Sequence, residues 1–212
     1  MRLYAASDLH GKYRYGETIK DGIRRSRADA VVLAGDILNY RRNPDLLRFL
    51  EDLSVPVFLV RGNSDPAFLE RWAAQSRNVR SLHLAPRVLD GVGLVGLSGT
   101  LPLPFHSRVG WHEPRMLRRL SPLVQAGMIV VAHPPPRGCR DRVLGRWPAG
   151  SRGVSRLVRK TAPAVMVCGH IHEAAGVERL GDTLVVNCAL GPDRLGAQIV
   201  LEDGREPSVE ML

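Results

Sequence analysis

The chain is short of lysine, aromatic residues and cysteine, and it has no long apolar run. Of its 30 basic residues only Lys12, Lys20 and Lys160 are lysines, so 27 are arginines. Aromatic residues make up 5% of the chain, and no extended run of Lys or Arg with interleaved aromatics occurs, which argues against a base-stacking platform. The three cysteines are odd in number and lack CxxC spacing, which excludes a disulfide framework and a zinc knuckle. Cys168 and Cys188 end apolar runs and read as small buried hydrophobes. Cys139 lies among Arg137, Arg140 and Arg142, which would lower its pKa, but it has no base or partner thiol. No stretch reaches the roughly 18 apolar residues of a membrane helix, so no membrane association is expected. The first strand starts almost at the N-terminus, leaving no room for a signal peptide, and the expected location is cytoplasmic.

What is present is ordinary globular composition, 44% hydrophobic and 24% charged over 212 residues. That length supports a sizeable core, read here as one domain spanning residues 1–212. The net charge of +9 is read first as an Arg-rich solvated surface. Nucleic acid attracted by positive potential is the less favoured reading. Composition sets no oligomeric state.

Five apolar stretches end in the same way. Leu3-Tyr4-Ala5-Ala6 runs into Ser7-Asp8-Leu9-His10-Gly11, and Val31-Val32-Leu33-Ala34 into Gly35-Asp36. Val57-Phe58-Leu59-Val60 leads to Arg61-Gly62-Asn63, and Met128-Ile129-Val130-Val131 to Ala132-His133. Val165-Met166-Val167-Cys168 leads to Gly169-His170-Ile171-His172. Each reads as a buried strand delivering metal-capable side chains at its carboxyl end, where open α/β sheets bind ligands. Asp8, His10, Asp36, Asn63, His133, His170 and His172 are thereby expected at one rim.

Between these strands, residues 15–27 carry Ile19 and Ile23 on one helical face. Asn43-Pro44 caps a second helix, and Asp65-Pro66 reads as the cap of a third reaching about residue 75. Strand–helix alternation implies a parallel sheet with right-handed crossovers. From residue 79 the rhythm changes to short strands at 79–84 and 87–89, then an Asp90-Gly91 turn into 92–97. A His-bearing loop at 101–112 and a helix at 113–124 precede the strand ending at His133. Pro134-Pro135-Pro136 then imposes an extended loop to about Gly150, followed by a helix at 153–161. Beyond His172 the pattern is antiparallel, with strands at 176–180, 183–187, 197–201 and 208–211. The expected class is α/β, two packed mixed β-sheets flanked by helices.

Aspartate, histidine and an amide oxygen without thiolate suit Mn2+, Fe2+, Zn2+ or Co2+. Seven ligands exceed one tetrahedral site but suit two ions sharing a carboxylate. Metal pairs about 3.5–4 Å apart clamp phosphoryl oxygens and generate a nucleophile from water near neutral pH.

Taken together, Asp8-x-His10, Gly35-Asp36, Gly62-Asn63, His133 and Gly169-His170-x-His172 resemble the motif set of the calcineurin-like metallophosphoesterases. The match is to the small bacterial and archaeal phosphodiesterase-like branch. The resemblance implies a four-layer α-β-β-α sandwich and two divalent ions, with Mn2+ favoured. Asp8, His10, Asp36 and His172 would hold one ion. Asp36, Asn63, His133 and His170 would hold the second, and Asp36 would bridge. A metal-bridging hydroxide would attack a small phosphodiester in line with the departing alkoxide. Asp36, Asn63, His133 and His170 are the catalytic candidates this implies.

One departure matters. Many members place a histidine after the motif asparagine, oriented by the following Asp, to protonate the leaving group. Ser64 stands there, and a serine is a poor general acid for a role worth about 10² to 10⁴ in rate. Substrates with good leaving groups are therefore expected, unless His106 or His112 substitutes. Asn39 and Tyr40 stand where phosphoprotein phosphatases carry a further Asp and Arg, which argues against a protein Ser/Thr phosphatase. Arg61 and Arg137 are candidates to grip phosphate. Glu173 is a candidate to orient a histidine. His83 is read as having no role. A metal-dependent nuclease and a non-catalytic interaction scaffold of the same fold are the alternatives.

Overall fold

Buried runs of Val, Leu and Ile alternate their side chains between two faces, and each face here has its own core. The computed structural model describes residues 1–99 and 113–212. In the first sheet β1 (Arg2–Ala6), β2 (Ala30–Ala34), β3 (Val57–Val60) and β4 (Val79–Ser81) run parallel. The second has a parallel centre of β6 (Val92–Leu97), β7 (Ile129–Ala132), β10 (Val165–Cys168) and β12 (Thr183–Asn187). Its edges, β5 (Arg87–Leu89) and β11 (Gly176–Leu180), are antiparallel. The last strands, β13 (Ala197–Val200) and β14 (Ser208–Met211), return antiparallel to the edge of the first sheet. Each sheet has six strands, so the expected two mixed sheets are present. The expected antiparallel hairpins after His172 are present, β11 with β12 and β13 with β14, and β12 also joins β10 in parallel, which carries the parallel centre of the second sheet one strand further.

Alternation sorts the residues. Leu3, Val32, Phe58 and Val60 meet Leu94, Ile129, Val131 and Val167 between the sheets. Tyr4, Val31 and Leu59 point outward to Ile19, Leu46 and Leu69 of α1 (Tyr15–Ser26), α2 (Pro44–Glu51) and α3 (Phe68–Gln75). On the far side Val130 and Met166 pack with Leu120, Val154 and Leu157 of α4 (Glu113–Leu120) and α5 (Arg152–Thr161). The layers are therefore helix, sheet, sheet, helix.

Asn43 caps α2 as expected, its Oδ1 accepting from Leu46 N at 3.1 Å, with Pro44 in the first helical position. Asp65 does not cap α3, which begins at Phe68 without a side-chain cap. The loop after the three prolines is not extended throughout. It folds into a small hairpin of β8 (Arg142–Val143) and β9 (Trp147–Pro148). The loop at 101–112, with His106 and His112, lies outside the described residues. No helix among the described residues is long and apolar enough to cross a membrane.

Candidate metal centre

Because β1, β2 and β3 are parallel, as are β7 and β10, their carboxyl ends deliver their loops to a common edge. The loops are stitched together there. Asp8 N donates to Gly35 O at 3.0 Å and His10 N to Asp36 O at 2.9 Å. Between the sheets, His170 N donates to Asp8 Oδ2 at 3.0 Å. Gly169 N donates to His133 O at 3.0 Å.

All seven candidate ligands meet at this edge. His172 Nε2 lies 3.1 Å from Asp8 Oδ1 and 3.3 Å from His10 Nε2. Asp36 Oδ2 lies between His10 Nδ1 at 3.8 Å and His133 Nε2 at 3.5 Å. Asn63 Oδ1 sits 3.1 Å from both His133 Nε2 and His170 Nδ1. Two groups have ligand atoms mutually within 4.8 Å: Asp8 with His10 and His172, and Asp8 with Asp36 and His133. Asp8, Asp36 and His133 are buried, whereas the His172 side chain is 46% exposed.

The donor set fits cations. His133 Nδ1 is 2.8 Å from Ala34 O, and a carbonyl only accepts, so Nδ1 carries the proton. The Nε2 lone pair then faces Asn63 Oδ1, another electron-rich atom. Likewise two ring nitrogens oppose each other across the His10–His172 contact. A proton or a cation has to relieve both arrangements. The carbonyl partner behind His133 also fixes its ring orientation, as in metal-binding histidines generally.

The backbone is bent to make this cluster. Asp8, His10, Asp36 and His170 have φ of 63°, 48°, 51° and 70°, a left-handed conformation that costs a residue bearing Cβ. Three glycines let the strands close in. A Cβ on Gly62 would stand 2.1 Å from Asp36 Oδ1, and one on Gly169 would stand 2.5 Å from Asp8 Oδ2. On Gly35, which itself has φ of 96°, it would stand 2.7 Å from His133 Nδ1.

Three residues support the cluster in ways the sequence did not reveal. Buried Asp65 accepts from Ile37 N at 3.1 Å, Leu38 N at 2.6 Å and Gly62 N at 2.9 Å. It therefore ties the Asp36 loop to the Asn63 loop. Ser64 N donates to Asp36 Oδ1 at 2.8 Å, and its hydroxyl donates to Leu38 O at 2.7 Å. Ser7 Oγ donates to Asp8 Oδ2 at 2.6 Å, leaving Oδ1 to face the imidazoles. Only the Asp65-Pro66 dipeptide signalled any of this, and it points to the wrong partner.

Charge is unevenly held. Burial opposes ionisation of Asp36, but the His133 imidazole beside it prevails and holds the carboxyl far below its usual range. Burial also works against charge on His133, yet Asp36 outweighs it and pushes the imidazole up to about 9. His172 is raised chiefly by its bond to Asp8. His170 is pushed down to about 4 by burial and by neighbouring His133. Burial, with Asp36 adding, lifts Asp65 to about 6 against its three N–H donors. Cations bound here displace protons from the raised histidines.

Three of the remaining candidates have their side chains engaged elsewhere. Arg61 is buried, with Nε 3.0 Å from Glu70 Oε1 and one amino group donating to Asp65 O, so its fork is turned from any phosphate. Ser64 is 1% exposed and its hydroxyl is spent on Leu38, which removes it as a proton donor to substrate. Glu173 accepts from Leu144 N at 3.0 Å, anchoring the β8–β9 hairpin instead of orienting a histidine. Arg137 is half-buried and is held through its backbone N–H to Ser151 O. Cys139 is buried, which pushes its thiol up to about 12, with Glu178 adding, the reverse of the arginine effect expected. His83 does have a structural task, since its Nδ1 accepts from Ser98 N at 3.0 Å.

Comparisons with known proteins agree with this architecture. An uncharacterized protein of Methanocaldococcus jannaschii is 24% identical over 88% of this chain and 87% of its own. A crystal structure of a Thermus thermophilus protein aligns with a TM-score of 0.73 at 21% identity, covering 99% of this chain and 98% of that one. A dimetal phosphatase from Danio rerio aligns with a TM-score of 0.71 at 15% identity, over 100% and 95% of the two chains. At such identities these structures speak for the fold. The sequence model of the calcineurin-like phosphoesterases matches residues 1–174, and the chain belongs to that family.

Proposed function

We propose that this metallophosphoesterase is a phosphodiesterase that works with two divalent ions, Mn2+ favoured, on small phosphodiesters. The observation that carries the reading is Asp36 Oδ2, placed 3.8 Å from His10 Nδ1 and 3.5 Å from His133 Nε2, between the two ends of the cluster. Asp8, His10, Asp36 and His172 would hold one ion, and Asp36, Asn63, His133 and His170 the other. The zebrafish neighbour is a dimetal phosphatase, which supports the count of two ions. When bound, such a pair supplies charge neutralisation at the phosphoryl oxygens and a nucleophile from water.

The chain's own residues do the positioning. Ala34 O and Asn63 lock the ring of His133, and Ser7 holds the orientation of Asp8. Ser64 N and the Asp65 clamp hold Asp36 against the low preference of its backbone. Ser64 cannot serve as the leaving-group acid, because its hydroxyl is buried and bonded to Leu38 O. Esters whose leaving group departs without a proton are the substrates this arrangement suits, which favours activated diesters.

Turnover of aryl phosphodiesters and aryl monoesters with added Mn2+ tests the reading. The diester is expected to turn over faster, and Asp36→Asn is expected to abolish turnover and metal uptake together. Absence of metal-dependent diester hydrolysis by the wild-type protein would refute it.

A further inference from the structure

Two loops leaving the metal centre on the first-sheet side each carry an exposed triplet, Lys12-Tyr13-Arg14 and Tyr40-Arg41-Arg42. They are distant in sequence, and the alternation Lys12-Tyr13-Arg14-Tyr15 is too short to read as a platform on its own. The fold lays them side by side. His10 N and Gly11 N each donate at 2.9 Å, to Asp36 O and Ile37 O, and Asn43 Nδ2 donates to Gly11 O at 3.0 Å.

The two rings face solvent, Tyr13 at 60% and Tyr40 at 69% exposure. Tyr40 is held there in a left-handed conformation, φ 57°, by its N–H bond to Ser64 O at 2.8 Å. Lys12 and Arg14 lie over the Tyr15 ring at 5.9 and 5.2 Å, and Arg42 over the Phe68 ring at 4.7 Å. Among the described residues none of the four cations in the triplets has a carboxylate partner, so their charge is open to a ligand. Beside Tyr13 lies a groove of about 570 Å³ floored by Tyr13, Phe49 and Leu53, its rim carrying two basic and two acidic side chains.

We propose that the two triplets bind single-stranded nucleic acid and lead it to the metal centre. Flat rings alternating with cations match a strand in which bases alternate with phosphates. Exposed aliphatic side chains, which insertion into a lipid surface requires, are absent from these triplets. An acidic protein would use the cations but leave the rings without a task. The second half of the proposal rests on the phosphodiesterase reading, since a strand laid here presents the bond class that such a centre cleaves.

The test is fluorescence anisotropy of the wild-type holoprotein with labelled, phosphorothioate-linked single strands of DNA and of RNA, which resist cleavage. Tyr13→Ala and Tyr40→Ala are each expected to weaken binding about five- to a hundredfold, the usual range for one stacked base. Tyr13→Phe and Tyr40→Phe keep the ring and are expected to bind like wild type. The Arg41→Ala/Arg42→Ala double variant is expected to lower the salt slope by about 1.4, roughly 0.7 for each phosphate no longer neutralised. The two strands compared show which sugar is preferred.

The proposal fails if the alanine variants bind as wild type. It also fails if base-free polyphosphate loses affinity by the same factor, or if anionic vesicles bind and the strands do not. Aryl diester turnover by the same preparation separates the two readings. Turnover without strand binding sinks the binding role of the triplets and leaves the phosphodiesterase reading intact, whereas strand binding without turnover sinks the phosphodiesterase reading and, with it, only the second half of this proposal.

Discussion

The two sheets contribute unlike halves to the centre. The first supplies the oxygen donors, Asp8, Asp36 and Asn63, with one imidazole, His10. The second supplies imidazoles only: His133, His170 and His172. The first half is heavily braced, with Asp65 accepting three backbone N–H groups and Ser64 bonding both Asp36 and Leu38. The second is graded, from His133, fully buried and pinned on Ala34 O, to His172 on a short 3₁₀ turn with nearly half its side chain exposed. Rigidity thus follows the carboxylates, where like charge is crowded and displacement costs most, while the open imidazole side leaves room for ligand approach.

The sharpest way to break this contrast is to remove one imidazole from each end. His133→Ala deletes a buried side chain between the sheets and is expected to lose an ion, diester turnover and stability, the last by about 2–5 kcal/mol. His172→Ala is expected to lower metal content from two ions to one with little change in melting temperature. Metal analysis beside thermal melting separates the two, and equal destabilisation by both variants would erase the distinction. Next in size, Asp65→Asn replaces an acceptor of three N–H groups by an amide. A loss of about 2–3 kcal/mol is expected in denaturant unfolding, because a buried donor is left unmatched.

A smaller effect sharpens the comparison from outside the centre. Burial holds His83 below its ordinary 6.5 even though Glu70 pulls the other way, and its Nδ1 lone pair is engaged by Ser98 N. The unfolded chain takes up the proton first as pH falls, so stability is full above about 6.5 and declines below it. Melting between pH 7 and 5 is expected to fall less steeply in His83→Asn than in wild type. Smallest is a null result. Burial raises the thiols of Cys139 and Cys188 to about 12 and that of Cys168 well above the ordinary value. Native protein at pH 8 is expected to resist alkylation, and rapid labelling of any thiol would show that its cover opens.

Much of the centre was legible because each ligand follows an apolar strand and a small residue, a pattern contained in a few consecutive positions. The two-layer sheet arrangement was legible for the same reason, since strand alternation is local. What stayed hidden depends on distant partners. Asp65-Pro66 reads as a helix cap on local grounds, yet its acceptors serve N–H groups 27 and 28 residues away. Arg61 looks like a free phosphate grip until Glu70 is seen beside it. Glu173 looks like an imidazole partner until the hairpin amide of Leu144 reaches it. The left-handed backbone of Asp8 and Asp36 leaves no mark in composition, because those residue types are chosen for their side chains.

The bond from His133 to Ala34 O has a consequence of its own. Ala34 ends β2, the strand that launches Asp36, while His133 follows β7 of the opposite sheet. A slip of one sheet over the other would therefore rotate the ring and move the carboxylate in the same motion. Val32 and Val131, packed between the sheets, help set that spacing, so the hydrophobic filling of the sandwich acts as the gauge for its catalytic edge.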